Sequence, residues 1–88
     1  MGPETLAFER ELAEYIGAPH VVTVNSCSSA LFLSLLASGV EPNDEVICPS
    51  LTWCSTANAV LHAGARPVFC DIDLDTLCLT PDLVESKL

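Results

Sequence analysis

Three short apolar runs constrain this chain more than any other feature: Val21-Val22-Thr23-Val24, Val46-Ile47-Cys48 and Val68-Phe69-Cys70. Each is nearly continuous rather than alternating, as expected of strands covered on both faces. Segments of helical spacing separate them, and strands alternating with helices imply parallel pairing through right-handed crossovers. The periodicity predicts the order α-β-α-β-α-β-α. A first helix runs from Pro3 to about Tyr15, with Leu6, Phe8, Leu12, Tyr15 and Ile16 as its apolar stripe, and Gly17-Ala18-Pro19 ends it. Strand one is expected at about 21–24, helix two at 28–38, strand two at 45–48, helix three at 53–63 and strand three at 67–70. Gly39 and Gly64 close the second and third helices, 71–80 is a loop, and Pro81 suits the first position of a last helix. The fold class is therefore α/β, a three-layer α/β/α arrangement in one domain over residues 1–88, without linkers or repeats.

Two junctions in this frame carry the chemistry. Asn25-Ser26-Cys27-Ser28-Ser29-Ala30-Leu31 lies between strand one and helix two. The first turn of a helix has N–H groups without intrahelical partners and the positive end of the macrodipole, which suits a phosphate. Ser and Asn are also preferred N-cap residues, and on this segment alone a plain cap is the better reading. The second junction, Pro49-Ser50-Leu51-Thr52-Trp53, places the only tryptophan just beyond strand two. Ligands of open parallel sheets bind outside the C-terminal strand ends. A flat aromatic beside an anion cup describes a phosphorylated aromatic cofactor, whereas an isolated tryptophan would be read as core.

Taken in order, the segments resemble the N-terminal part of the DegT/DnrJ/EryC1/StrS aminotransferases, pyridoxal-phosphate enzymes that mostly aminate nucleotide-linked keto-sugars. The resemblance rests on Gly2-Pro3, Phe8-Glu9, Ser26-Cys27-Ser28-Ser29-Ala30-Leu31, Asn43 to Trp53 (NDEVICPSLTW) and Gly64 to Asp73 (GARPVFCDID), and covers nearly the whole chain. It implies part of the large domain of the aspartate-aminotransferase-like, fold type I architecture. It also implies that the backbone N–H groups of Cys27 and Ser28, with the Ser28 hydroxyl, hold the cofactor phosphate, and that Trp53 stacks on the pyridine ring. Cys27 stands where the family often has glycine, so a positive φ there would be strained. Ser28 replaces the usual threonine and keeps the hydroxyl.

The resemblance also implies residues that this chain does not supply. Such enzymes need a Schiff-base lysine and an acid for the pyridinium nitrogen. The only lysine is Lys87, which matches no part of the family's lysine motif, and Asp71 and Asp73 belong to a different segment. No residue is assigned a catalytic role, and the 88 residues alone are expected to be inactive, with weak or no cofactor binding. The expectation is an N-terminal piece of a longer enzyme whose substrates are a nucleotide-sugar and an amino-acid donor. The alternative is a stand-alone small α/β protein with a binding or assembly role. In the intact fold, later strands sit between strand one and the other two. Without them, either strand one pairs directly with strand two or the chain self-associates to cover its open edges.

Composition narrows the partners. Twelve acidic residues against Arg10, Arg66 and Lys87 give a net charge of −9, which argues against nucleic acid. Half the residues are hydrophobic and the mean hydropathy is +0.45, yet no window reaches the ~18 apolar residues of a membrane span, and no signal peptide is evident. Five cysteines without a Cys-x-x-Cys pair argue against both a disulfide framework and a metal site. Reduced thiols in a cytoplasmic protein are the expectation.

Overall fold

A computed structural model describes residues 1–88. Helix α1 (Pro3–Ile16) opens with Pro3, whose missing N–H costs nothing in a first turn, and ends at Gly17 in the left-handed region, φ 72°. Helix α2 (Cys27–Ala37) follows an irregular stretch, and Val40 N–H closes it by donating to the Leu35 carbonyl at 3.2 Å. Strand β1 (Glu45–Pro49), helix α3 (Ser55–His62) and strand β2 (Arg66–Cys70) form one β-α-β unit, and α4 (Pro81–Glu85) completes the chain.

The sheet has two parallel strands, in register from Glu45 opposite Arg66 to Pro49 opposite Cys70. Arg66 N–H donates to the Asp44 carbonyl at one end, and Ser50 N–H to the Cys70 carbonyl at the other. The Arg66 guanidinium pairs with the Glu45 carboxylate at the N-terminal end of both strands. The core is small: Cys48, Val60 and Ala65 are buried together, with Leu35, Val40 and Val46 packed against them. Cys70 is buried too, its thiol 3.2 Å from the Leu83 carbonyl of α4. Burial pushes the Cys48 thiol above its ordinary pKa, so it behaves as a small hydrophobe.

The expected strand one is not a strand. Residues 21–24 have no ladder partner and no regular secondary structure, and the sheet contains only β1 and β2. The anticipated direct pairing of strand one with strand two is thus absent. A strand exists by its ladder, and here a side chain replaces it. The Glu9 carboxylate on α1 accepts from Thr23 N–H at 2.7 Å and from the Thr23 hydroxyl at 2.8 Å. Those two bonds hold the Glu9 carboxyl below its usual pKa. The α/β class and the other elements stand, with helix three starting at Ser55 rather than Trp53 and the last helix stopping at Glu85.

The 71–80 loop is built on Asp73. Its carboxylate accepts from the N–H groups of Asp75 and Thr76 and from the Thr76 hydroxyl, and these donors hold its pKa down. Thr80 then caps α4, accepting from Leu83 N–H.

Candidate functional site

The serine-rich junction is the N-terminus of α2. Ser26 is extended, φ −160° and ψ 155°, and its hydroxyl accepts from Ser29 N–H at 3.1 Å. The Ser26 and Ser29 hydroxyls lie 2.9 Å apart, and Ser29 donates on to the Asn25 side-chain oxygen. Ala30 N–H donates to the Ser26 carbonyl. Asn25, Ser26 and Ser29 therefore do the capping that the plain reading expected. The N–H groups of Cys27 and Ser28 have no acceptor in the chain, so cap and open donor pair coexist in one turn.

Cys27 is the first residue of α2, and among non-glycine residues only Asn43 and Leu77 have positive φ. The expected strain at Cys27 does not arise. Its thiol is free and exposed.

The Ser28 hydroxyl donates to the Ser55 hydroxyl at 2.9 Å. Ser55 opens α3, so the bond joins the N-terminal ends of α2 and α3. Trp53 lies two residues before Ser55, in the turn that follows β1, and its carbonyl accepts from Thr56 N–H at 3.0 Å. The Thr52 and Thr56 hydroxyls, 2.8 Å apart, close that turn. Trp53 is 78% exposed, so the core reading does not hold within this chain. The structure thus brings Cys27 and Ser28 beside the turn that carries Trp53, outside the C-terminal end of β1. A narrow cleft of about 120 Å³ continues from the Ser28–Ser55 pair along α3, past Asn58 to His62.

No cationic side chain serves this site. Arg66 is paired with Glu45 at the opposite end of the strands, Arg10 lies on α1, and Lys87 follows α4. From this chain an anion here would meet backbone N–H groups, hydroxyls and helix ends. No group of three or more His, Cys, Asp or Glu residues with metal-binding geometry is present, and all five cysteines are free.

Three residues had no role assigned from the sequence. Ser55 had a signal: Cys54-Ser55 repeats, at the second strand-to-helix junction, the Cys27-Ser28 of the first. Glu9 and Thr23, which fix the chain entering the α2 turn, are 14 residues apart and carry no spacing signal.

The architecture defines an α/β protein whose candidate site lies where a parallel sheet opens at its strand ends. Over residues 1–88 the sequence matches the model of the DegT/DnrJ/EryC1/StrS aminotransferase family, and the chain belongs to that family. It is 53% identical over 87 residues to the spore coat polysaccharide biosynthesis protein SpsC of Bacillus subtilis (strain 168), covering 99% of this chain and 22% of SpsC. Among solved structures it resembles the aminotransferase TlmJ of Streptoalloteichus hindustanus, with 48% identity and a TM-score of 0.88 over 99% of this chain and 24% of TlmJ. It also resembles NtdA of Bacillus subtilis, solved with bound cofactor PMP, with 38% identity and a TM-score of 0.93 over 100% of this chain and 20% of NtdA. The chain thus spans between a fifth and a quarter of the length of these relatives. The fold is part of the fold type I pyridoxal-phosphate architecture.

Proposed function

We propose that this chain supplies the cofactor-anchoring part of a pyridoxal-phosphate-dependent aminotransferase that acts on nucleotide-linked keto-sugars with an amino-acid donor. One observation carries the reading. An open pair of N–H donors at the α2 end is tied, through the Ser28–Ser55 bond, to the start of α3, two residues after the exposed Trp53 that follows β1. The residues present fit the group. The N–H groups of Cys27 and Ser28, with the Ser28 hydroxyl, would hold the phosphate, helped by the helix dipole. The exposed face of Trp53 would lie against the pyridine ring and exclude water from it.

When bound, the cofactor supplies the electron sink that lets an amino group move. The role of this chain is to bind and orient it. Lys87 matches no part of the family's lysine motif, so the 88 residues alone bind the cofactor weakly or not at all and do not turn over. A reduced, cytoplasmic setting is supported by the five free thiols, and no helix is long and apolar enough to cross a membrane.

The test compares pyridoxal phosphate binding by the full gene product with that of its Ser28→Ala and Trp53→Ala variants. Each is expected to weaken binding about tenfold, in line with one charge-assisted hydrogen bond or one stacked ring. Unchanged affinity in the Ser28→Ala variant would remove the reading. The 88-residue polypeptide, mixed with the cofactor and desalted, should keep no chromophore, and absorbance that survives borohydride would show that Lys87 or the terminal amine had reacted.

A further inference from the structure

We infer that Ser55 is a positioning residue of the phosphate cup, acting through the Ser28 hydroxyl. The inference rests on the cofactor reading above and adds to it a residue on a second helix. Ser28 sits exposed on the first turn of α2, where a lone serine hydroxyl turns freely among its rotamers. Ser55 is half-buried at the start of α3, whose Ala59 and Val60 are buried in the core. The 2.9 Å bond between them is the one side-chain hydrogen bond joining α2 to α3. It ties the mobile hydroxyl to the better anchored helix, the arrangement a binding group needs to be held in its productive direction.

The proton count favours this role. Each hydroxyl has one proton and two lone pairs. Within the pair one proton is spent on the partner, and no other hydrogen bond engages either hydroxyl. Whichever serine donates inside the pair, one proton remains for an anion. In the structure Ser28 donates to Ser55. A phosphate, which offers only acceptors, draws the Ser28 proton outward, and Ser55 then donates to the Ser28 oxygen. That donation fills a Ser28 lone pair and polarises its O–H toward the phosphate. Removing the Ser55 hydroxyl leaves Ser28 able to donate but neither aimed nor polarised.

The test measures binding of pyridoxal phosphate and of pyridoxal, which lacks the phosphate, to the full gene product and its variants. Ser55→Ala should weaken pyridoxal phosphate binding about threefold to tenfold, a share of one hydrogen bond to a charged group, and leave pyridoxal binding unchanged. Ser55→Thr, which keeps the hydroxyl, should bind like the parent. In a Ser28→Ala background, Ser55→Ala should cost nothing more. Several outcomes overturn the inference: Ser55→Ala binding like the parent while Ser28→Ala is weakened, equal losses for both forms of the cofactor, or losses that simply add. If Ser28→Ala itself leaves the affinity unchanged, the cofactor reading fails at its source, and Ser55 with it.

Discussion

At the scale of single residues, the turn at the start of α2 divides its labour among neighbours of the same type. Ser26 and Ser29 are committed to the cap, and Ser28 to Ser55. Replacing Ser26 by alanine removes the acceptor for Ser29 N–H, and such cap losses cost about 1 kcal/mol. Urea unfolding of the full gene product should report a loss of that size for Ser26→Ala and a smaller one for Ser28→Ala, whose hydroxyl caps nothing. The reverse ranking would mean that the Ser28–Ser55 bond, not the cap, holds the end of α2. The sequence already contained the serine cluster. What it lacked was the assignment of each hydroxyl, because four candidate partners within five residues satisfy the same composition in several ways.

At the scale of elements, the segment after α1 shows where local patterning stops short. Val21 to Val24 has the β-branched character of a strand, but pairing is decided by what lies alongside, and no other strand lies there. The Glu9 carboxylate takes over one of the duties of a ladder by accepting from Thr23 N–H. The helices, by contrast, were legible to within two or three residues. Their ends are fixed by local features: Pro3, Gly17, Ser26 and Pro81 act within a turn. The strands β1 and β2 were legible because each is an apolar run flanked by a turn. The sign of the Glu9 linkage follows from its lowered pKa. The folded state favours the carboxylate, so this contribution is fully present above the unfolded glutamate value and is lost as the pH falls through the lower folded value. The Thr23 amide resonance should therefore titrate in NMR with a midpoint below the ordinary glutamate range. Glu9→Gln should abolish that titration, and a midpoint at or above the ordinary value would contradict the bond.

For the whole molecule, the balance between surface and core decides behaviour. The chain exposes 6586 Å², where a folded monomer of 9.3 kDa exposes about 5,000 Å². Its radius of gyration is 15.5 Å, against about 12 Å for a compact domain of this length. The excess is about twice what one partner contributes to a standard protein interface, and it includes Phe8, Ile16, Val22, Leu33, Leu36 and Phe69. Helix α2 is apolar on nearly every side, a composition suited to a helix covered all round. Two forces then compete in the isolated 88-residue polypeptide. Apolar surface and open strand edges favour association, while a charge of −9 per chain opposes it. Salt separates them, since the Debye length falls from about 10 Å at 0.1 M to about 3 Å at 1 M and weakens only the repulsion. Sedimentation of the isolated polypeptide should therefore show species heavier than 9.3 kDa, with the heavier fraction growing as salt is raised. Dissociation by salt would assign the contacts to ion pairs instead. A monodisperse monomer at all salt concentrations would show that the exposed strand edges and apolar faces are not sufficient to drive assembly.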